Sequence, residues 1–244
     1  MPPRMYTELA ELWPRLSPPE RYRDEALRLG KLFAGELGPG PLRLLALGSG
    51  GGHLAWHLSS LCQITAVDLS EAMLEVSRRL NPRVRHLCAD MRCLQLEERF
   101  EAVLLHDAAA YLLHRDELVQ TLAVAARHLT PGGIVAVVPD YVQETFPGDH
   151  LAHHSCGDGV DVLEWCRRAG PEELETVFVF LFRQASGMRS QTDVHQMGLF
   201  SERTWLEAMG LAGLEARRPR NLQRRAGQGA YLFSGRLMNV RGKQ

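Results

Sequence analysis

The chain has 244 residues, 45% of them hydrophobic and 23% charged, with a formal net charge of −1. That profile describes a soluble globular protein large enough to build its core without a disulfide or metal staple, and it argues against a dedicated nucleic-acid binder. No apolar run approaches the roughly 18 residues of a membrane span. The five cysteines form no C-x-x-C pair, so reduced thiols are expected, and with no apolar signal-peptide region at the N-terminus a cytoplasmic location is expected too.

The first segment, Tyr6 to Leu37, reads as helical, with Leu9, Leu12, Trp13 and Leu16 at i, i+3, i+4, i+7 spacing and a break at Ser17-Pro18-Pro19. It either caps a sheet or closes over a ligand with Tyr6, Trp13 and Tyr22. Leu42 to Leu47 is a short apolar run stopped by Gly48-Ser49-Gly50-Gly51-Gly52, the pattern of a buried parallel strand turning into a helix. Gly48, Gly50 and Gly52 can take positive φ and let backbone N–H groups approach a small, partly anionic ligand. The dinucleotide fingerprint G-x-G-x-x-G needs a glycine where His53 stands, so it fails by one residue.

A second strand, Gln63 to Val67, ends in Asp68-Leu69-Ser70, and Ser70-Glu71 starts a helix running to Leu80. Asp68 lies 16 residues past Gly52, where the second strand of a βαβ unit presents a carboxylate to ribose hydroxyls. Val84 to Cys88 is a third strand, stopped by Ala89-Asp90-Met91. Phe100 to Leu105 is a fourth, ending in His106-Asp107, and a helix near Arg115 to Leu129 leads through a Thr130-Pro131-Gly132-Gly133 turn into a fifth, Ile134 to Val138. The alternation predicts an α/β, doubly wound, Rossmann-like sheet.

Beyond it the pattern changes. Asp140 to Asp161 reads as a polar loop carrying His150, His153, His154, Cys156, Asp158 and Asp161, whose spacing matches no tetrahedral zinc pattern, so no metal is expected. Strand-like runs at Thr176 to Arg183 and near Met188 to Met197 predict an antiparallel insertion over the open site. A helix from Ser201 to Met209 and strands near Leu214 and Tyr231 to Leu237 then complete a seven-stranded, mostly parallel sheet. Four regions follow: a helical lead-in (1–40), a cofactor-binding half (41–139), a substrate-side insertion (140–199) and the closing helix and strands (200–244). From Arg217 onward Arg217, Arg218, Arg220, Arg224, Arg225, Arg236, Arg241 and Lys243 stand without Asp or Glu, a solvated surface or a docking patch.

Leu-Ala-Leu-Gly-Ser-Gly-Gly-Gly, Val-Asp-Leu-Ser-Glu-Ala-Met-Leu, Cys-Ala-Asp-Met, Phe-Glu-Ala-Val-Leu-Leu-His-Asp and Leu-Thr-Pro-Gly-Gly, together spanning residues 42–138, resemble the successive motifs of class I S-adenosylmethionine-dependent methyltransferases. The resemblance implies that Gly48, Ser49, Gly50, Gly52, Asp68, Leu69, Met73, Asp90 and Met91 hold S-adenosylmethionine, with Tyr6 and His106 beside it. Asp90 would accept from the adenine amino group and Met91 would pack on the ring. One position departs from it: Ala46 stands where many members carry an acid that orients the cofactor's amino end, so another group, such as a backbone carbonyl, must do this here.

The Pro139 to Phe146 and Asp193 to Phe200 segments resemble, more loosely, parts of small-molecule N-methyltransferases, including those acting on amino sugars. A small-molecule amine or hydroxyl is therefore the expected acceptor. Tyr111, Asp140, His153, His154, Trp165 and His195 are expected to bind it, and His195, His106 and Asp107 are the catalytic candidates, since a histidine near neutral pKa suits deprotonation of either group. There is no Asn/Asp-Pro-Pro-Tyr/Phe run after the fourth strand and no cysteine follows a proline, which argues against base-amino and cytosine-C5 methylation. An RNA or protein acceptor docked on the arginine-rich end and a non-catalytic cofactor-binding module are the alternatives; a homodimer is left open.

Overall fold

The structure, a computed structural model, describes residues 3–40, 42–223 and 229–238. The lead-in is broken where helix was expected throughout: 3-10 turns at Arg4–Tyr6 and Ala10–Leu12, a four-residue helix α1 (Trp13–Leu16), a 3-10 turn at Pro19–Tyr22, then α2 (Arg23–Leu37). Pro18 and Pro19 have no N–H to donate back to α1, which ends it after Leu16, whereas Pro14 lies in its first turn, where no N–H is needed.

The sheet follows in the expected order. β1 (Leu42–Leu47) leads to the six-residue α3 (His53–Leu58), β2 (Cys62–Asp68) to α4 (Glu71–Leu80), and β3 (Arg85–Cys88) to β4 (Phe100–His106). α5 (Arg115–Arg127) leads to β5 (Leu129–Val138). The Thr130–Gly133 segment, expected as a turn, lies inside β5. Phe100 pairs with Leu129 while Ala102 pairs with Ile134, so the additional residues form a bulge in the strand.

After the insertion come α6 (Glu202–Leu211), capped by the Ser201 hydroxyl, and then β10 (Leu214–Ala216), β11 (Arg220–Gln223) and β12 (Gly229–Leu237). The strand order is β10-β12-β5-β4-β1-β2-β3, with β11 paired to β12. β12 runs antiparallel to both of its neighbours in that order.

Alternation along the strands divides the core. Leu45, Leu47, Val103, Leu105, Val135 and Val137 face α5 and α6, where Trp205 is buried. Leu44, Ala46, Ile64, Ala102, Leu104 and Ile134 face α2 and α3. Both faces are covered, which is why these strands read as unbroken apolar runs.

The insertion is a four-stranded antiparallel sheet of β6 (His150–Ser155), β7 (Val160–Gly170), β8 (Glu173–Gln184) and β9 (Gly187–Gly198). The second half of the segment expected as a polar loop thus holds β6 and the start of β7, while 140–149 is irregular. Their turn uses positive φ at Gly157, Asp158 and Gly159. β6 alternates half-buried and exposed residues, and its histidines disguise a strand as a loop.

Register sorts the insertion into two faces. Ala152, Glu164, Phe178 and Asp193 share one row, and His150, Cys166, Thr176 and His195 the next on the same face. Leu151, Trp165, Val177 and Val194 form a row on the opposite face. Of the basic C-terminal residues, Arg217 and Arg236 both pair with Glu36 at the end of α2, which makes them ties between elements. Arg224, Arg225, Arg241 and Lys243 lie outside the described residues.

Candidate active site

A cavity of about 480 Å³ opens at the carboxyl ends of β1, β2, β3 and β4, beneath the lead-in and the insertion. The glycine turn forms its floor. Gly48, Gly50 and Gly52 all have positive φ, but for different reasons. A Cβ on Gly48 would sit 2.2 Å from the Ala108 Cβ, and one on Gly52 would sit 2.1 Å from the Ser77 Oγ, so these two allow neighbouring elements to pack. A Cβ on Gly50 would meet only the Met73 Cε, at 3.6 Å. Gly48, Ser49 and Gly50 line the cavity and Gly52 does not. Gly52 starts α3, and its carbonyl accepts from the Asn81 side chain at 2.9 Å, so it is a packing glycine, not a ligand contact.

Asp68 closes β2 and reaches back to the turn. Its carboxylate accepts from Gly50 N–H at 2.7 Å and Ser70 N–H at 2.9 Å. Burial raises its pKa, against those backbone hydrogen bonds. Leu69 and Met73 lie on the same wall. Asp90, past the end of β3, is held bidentate by Arg92, which also bridges to Glu117, and the Arg92 guanidinium is the main reason the Asp90 pKa is lowered. Met91 lies against the turn, its Sδ 3.6 Å from where a Gly48 Cβ would be.

This wall fits an S-adenosyl group: carboxylates close adjacent parallel strands, an apolar side chain stands beside the second, and the buried Ser49 Oγ has no hydrogen-bond partner among the described residues. Ala46 also lines the cavity, and no acid stands at its position.

His106 and Asp107 end β4 on the cavity wall. His106 Nε2 lies 3.0 Å from Glu25 of α2 and Nδ1 lies 3.2 Å from Asp107, so the imidazole ties the lead-in to the strand end. Asp107 has φ 45°, a region costly for a non-glycine residue, and its N–H is fixed by the Val138 carbonyl at 2.9 Å.

His195 is placed differently from its expected position. It is on the inner face of β9 but 1% exposed, covered by the rings of Phe178, Tyr6 and Tyr111 at 4.8, 5.5 and 5.9 Å, and it does not line the cavity. Its Nε2 lies 2.9 Å from Asp193 and its Nδ1 2.6 Å from the Tyr111 hydroxyl, which is 2.8 Å from the Tyr6 hydroxyl. Met5 N–H donates to the same Asp193 at 2.7 Å. Burial lowers the His195 pKa against the pull of Asp193. Burial would raise that of Asp193, but the hydrogen bonds from Met5 and His195 bring it down.

Those directions set the polarity of the chain of hydrogen bonds. An ionised Asp193 can only accept, so the hydrogen of His195 is on Nε2 and Nδ1 accepts. Tyr111 therefore donates to His195, Tyr6 donates to Tyr111, and the Tyr6 oxygen is left as an acceptor toward the cavity it lines. Burial pushes both phenols above their ordinary pKa, which keeps them protonated.

At the insertion end, Asp140, Tyr111 and His154 line the cavity as expected, together with Glu164, Phe178 and Cys166. His154 pairs with Glu164 at 2.8 Å. Besides His195, two expected residues are elsewhere. His153 points to the other face of β6, 59% exposed and paired with Asp161, and Trp165 is on the outer row of β7, 44% exposed. Glu164 was missed because β7 was not foreseen, and a strand's side chains exchange faces with every residue.

Comparisons with known proteins agree with this geometry. Residues 44–133 match the methyltransferase domain family. The chain is 30% identical over 168 residues, 67% of its length and 71% of the relative's, to a dTDP-3-amino-3,4,6-trideoxy-alpha-D-glucopyranose N,N-dimethyltransferase of Streptomyces venezuelae. It is 30% identical, over 68% of each chain, to a dTDP-4-amino-2,3,4,6-tetradeoxy-D-glucose N,N-dimethyltransferase of Saccharopolyspora spinosa. Among solved structures, the sugar N-methyltransferase KedS8 of Streptoalloteichus superposes with a TM-score of 0.74 at 28% identity, covering 88% of this chain and 87% of that one. Sheet, cavity wall and relatives point to one assignment: the chain belongs to the class I S-adenosylmethionine-dependent methyltransferases.

Proposed function

We propose that the protein transfers the methyl group of S-adenosylmethionine to the amino group of a small, polyhydroxylated amine of the amino-sugar class. The observation that carries this reading is the Asp193–His195–Tyr111–Tyr6 chain, which turns an acceptor oxygen toward the cavity. The printed activities of the relatives, amino-sugar N,N-dimethyltransferases, lie in the same class.

The bound cofactor supplies an electrophilic methyl on a sulfonium. Asp140 and Glu164, at the insertion end of the cavity, attract a protonated amine. The amine must be neutral to react, so its proton passes to a carboxylate at that end or is left in water on entry. The Tyr6 oxygen then accepts the remaining N–H and aims the nitrogen lone pair. Positioning of this kind and exclusion of water by the lead-in can supply up to roughly 7–11 kcal/mol of the barrier. In this reading His195 is a positioning residue, and His106 with Asp107 holds the lead-in closed.

The test is incubation with methyl-labelled S-adenosylmethionine and a panel of amino sugars, free and nucleotide-linked, each beside its analogue with hydroxyl in place of the amine. Label on the amines alone supports the reading. Equal label on the hydroxyl analogues, or none on any amine, would overturn it.

A homodimer accompanies this proposal. The outer row of the insertion presents Leu151, Trp165 and Val194, 68%, 44% and 50% exposed, in register across strands. A flat apolar face of this kind is self-complementary about a twofold axis.

A further inference from the structure

Beyond the wall already described, two buried polar side chains that line the cavity, His53 and Thr176, make no hydrogen bond among the described residues, and His53 leaves two nitrogens over. His53, the first residue of α3, lines the cavity and is 3% exposed. Neither ring nitrogen makes a hydrogen bond of normal geometry among the described residues; Ser17 is the one residue whose backbone pulls on the ring's proton, which leaves the other nitrogen as an acceptor. The ring is held by packing: it stacks on Trp13 at 6.2 Å and 22°, and Tyr22 meets it edge-on at 5.8 Å. Gly51 makes room for this arrangement, since a Cβ there would come within 2.7 Å of Trp13 and 3.3 Å of His53 Nε2. A buried imidazole nitrogen without a partner in the chain is costly to the fold, and a ligand atom is its recipient.

The shape of the cofactor says which atom. A sulfonium carries three substituents, and the lining residues fall into three groups. Asp68, Asp90 and Met91 stand at the adenosyl side, and Tyr6, Tyr111 and Asp140 stand toward the acceptor, which the methyl must face. The third group is Trp13, Ser17, Arg21, Tyr22 and His53 above Leu44, Ala46 and Leu104. The sheet residues beneath this arm are apolar, and His106, which meets Tyr22 at 5.9 Å at the arm's edge, is already paired with Glu25 and Asp107. The aminobutyrate substituent is the one left to occupy this arm, and its ammonium group needs an acceptor.

We propose that His53 binds the amino-acid end of S-adenosylmethionine, one ring nitrogen accepting from the α-ammonium group, with Arg21 supplying the positive charge that faces the carboxylate. Burial lowers the His53 pKa to about 4, against the opposing pull of the Ser17 backbone and Glu20 and with a small contribution from His57. The imidazole is therefore uncharged at neutral pH and free to accept. This inference rests on the cofactor assignment and deepens it.

The experiment compares two ligands by calorimetry on the full-length protein: S-adenosylhomocysteine, which has the amino-acid end, and 5′-methylthioadenosine, which lacks it. His53→Phe keeps a ring against Trp13 and Tyr22 and removes both nitrogens; His53→Leu serves if the phenylalanine variant does not fold. The expected result is S-adenosylhomocysteine affinity at least about tenfold weaker with 5′-methylthioadenosine affinity unchanged. Equal weakening of both would make His53 merely structural, and no change in either would remove it from the site; each overturns the proposal. A wild-type protein that bound neither ligand would instead bring down the cofactor assignment itself.

Discussion

The Tyr111 hydroxyl lies 2.6 Å from His195 Nδ1, and this short contact determines how the acceptor end is wired. Because His195 is already committed to Asp193 on its other nitrogen, Tyr111 is its donor, and removing that donor leaves a buried acceptor unsatisfied. Tyr111→Phe should lower stability by about 1–3 kcal/mol. It should also slow methyl transfer by roughly 10- to 100-fold, because the Tyr6 hydroxyl loses the acceptor that fixes its direction. S-adenosylhomocysteine affinity should be unchanged. Chemical denaturation, single-turnover rates and calorimetry would check these together, and a wild-type rate would remove the relay from the reaction.

Asp68 is expected to act twice, on the ligand and on the turn that holds it, since one carboxylate oxygen takes the Gly50 N–H and the other the Ser70 N–H. Asp68→Ala should weaken S-adenosylhomocysteine binding by about 1.5–3 kcal/mol through lost hydrogen bonds to a charged group. Asp68→Asn, which keeps one oxygen, should lose less. Calorimetric titration of the two variants distinguishes them, and an unchanged dissociation constant in both would take Asp68 out of the site.

What the sequence revealed and what it hid follow one physical division. Asp68, Asp90 and His106 were legible because each closes a strand of a local βαβ repeat, and their place depends on short-range pattern. Gly52 was read as a ligand glycine, although its hydrogen is needed against Ser77 of α4; glycine spacing does not distinguish backbone that approaches a ligand from backbone that approaches a helix. His53 entered only as the residue that spoils a dinucleotide fingerprint. Trp165 was read as an acceptor contact and Glu164 went unread because β7 was not foreseen, and without the strand its parity is undefined. The burial of His195 depends on Tyr6, 189 residues away in sequence, and no local pattern carries that contact.

The outer face of the insertion predicts an oligomeric state. Trp165 pairs across the sheet with Leu151 and Val177, and Val177 with Val194, so a charge placed in this row falls at the centre of the patch. Light scattering should give the wild type twice the mass of one chain. The double variant Trp165→Glu, Val194→Glu should give one chain mass with unchanged S-adenosylhomocysteine affinity, because neither side chain lines the cavity. A wild type that is monomeric at all concentrations would contradict the dimer.

The last prediction concerns pH. Burial holds the His53 pKa at about 4, below its usual 6.5, so the unfolded chain takes up the proton first as pH falls. Stability from the neutral imidazole is therefore fully present above about pH 6.5 and lost progressively down to about pH 4, by about 3 kcal/mol at the lower limit. His195 and His86, also lowered mainly by burial, act in the same direction, whereas Asp193, lowered by its hydrogen bonds, contributes only near and below the ordinary carboxylate range. Urea midpoints measured between pH 7.5 and pH 5 should fall for the wild type and fall less steeply for His53→Phe, which has no proton to take up at that position. Parallel curves would mean that His53 takes up its proton at the same pH in the folded and unfolded chain, as a solvated imidazole does, and the burial argument for His53 would fail.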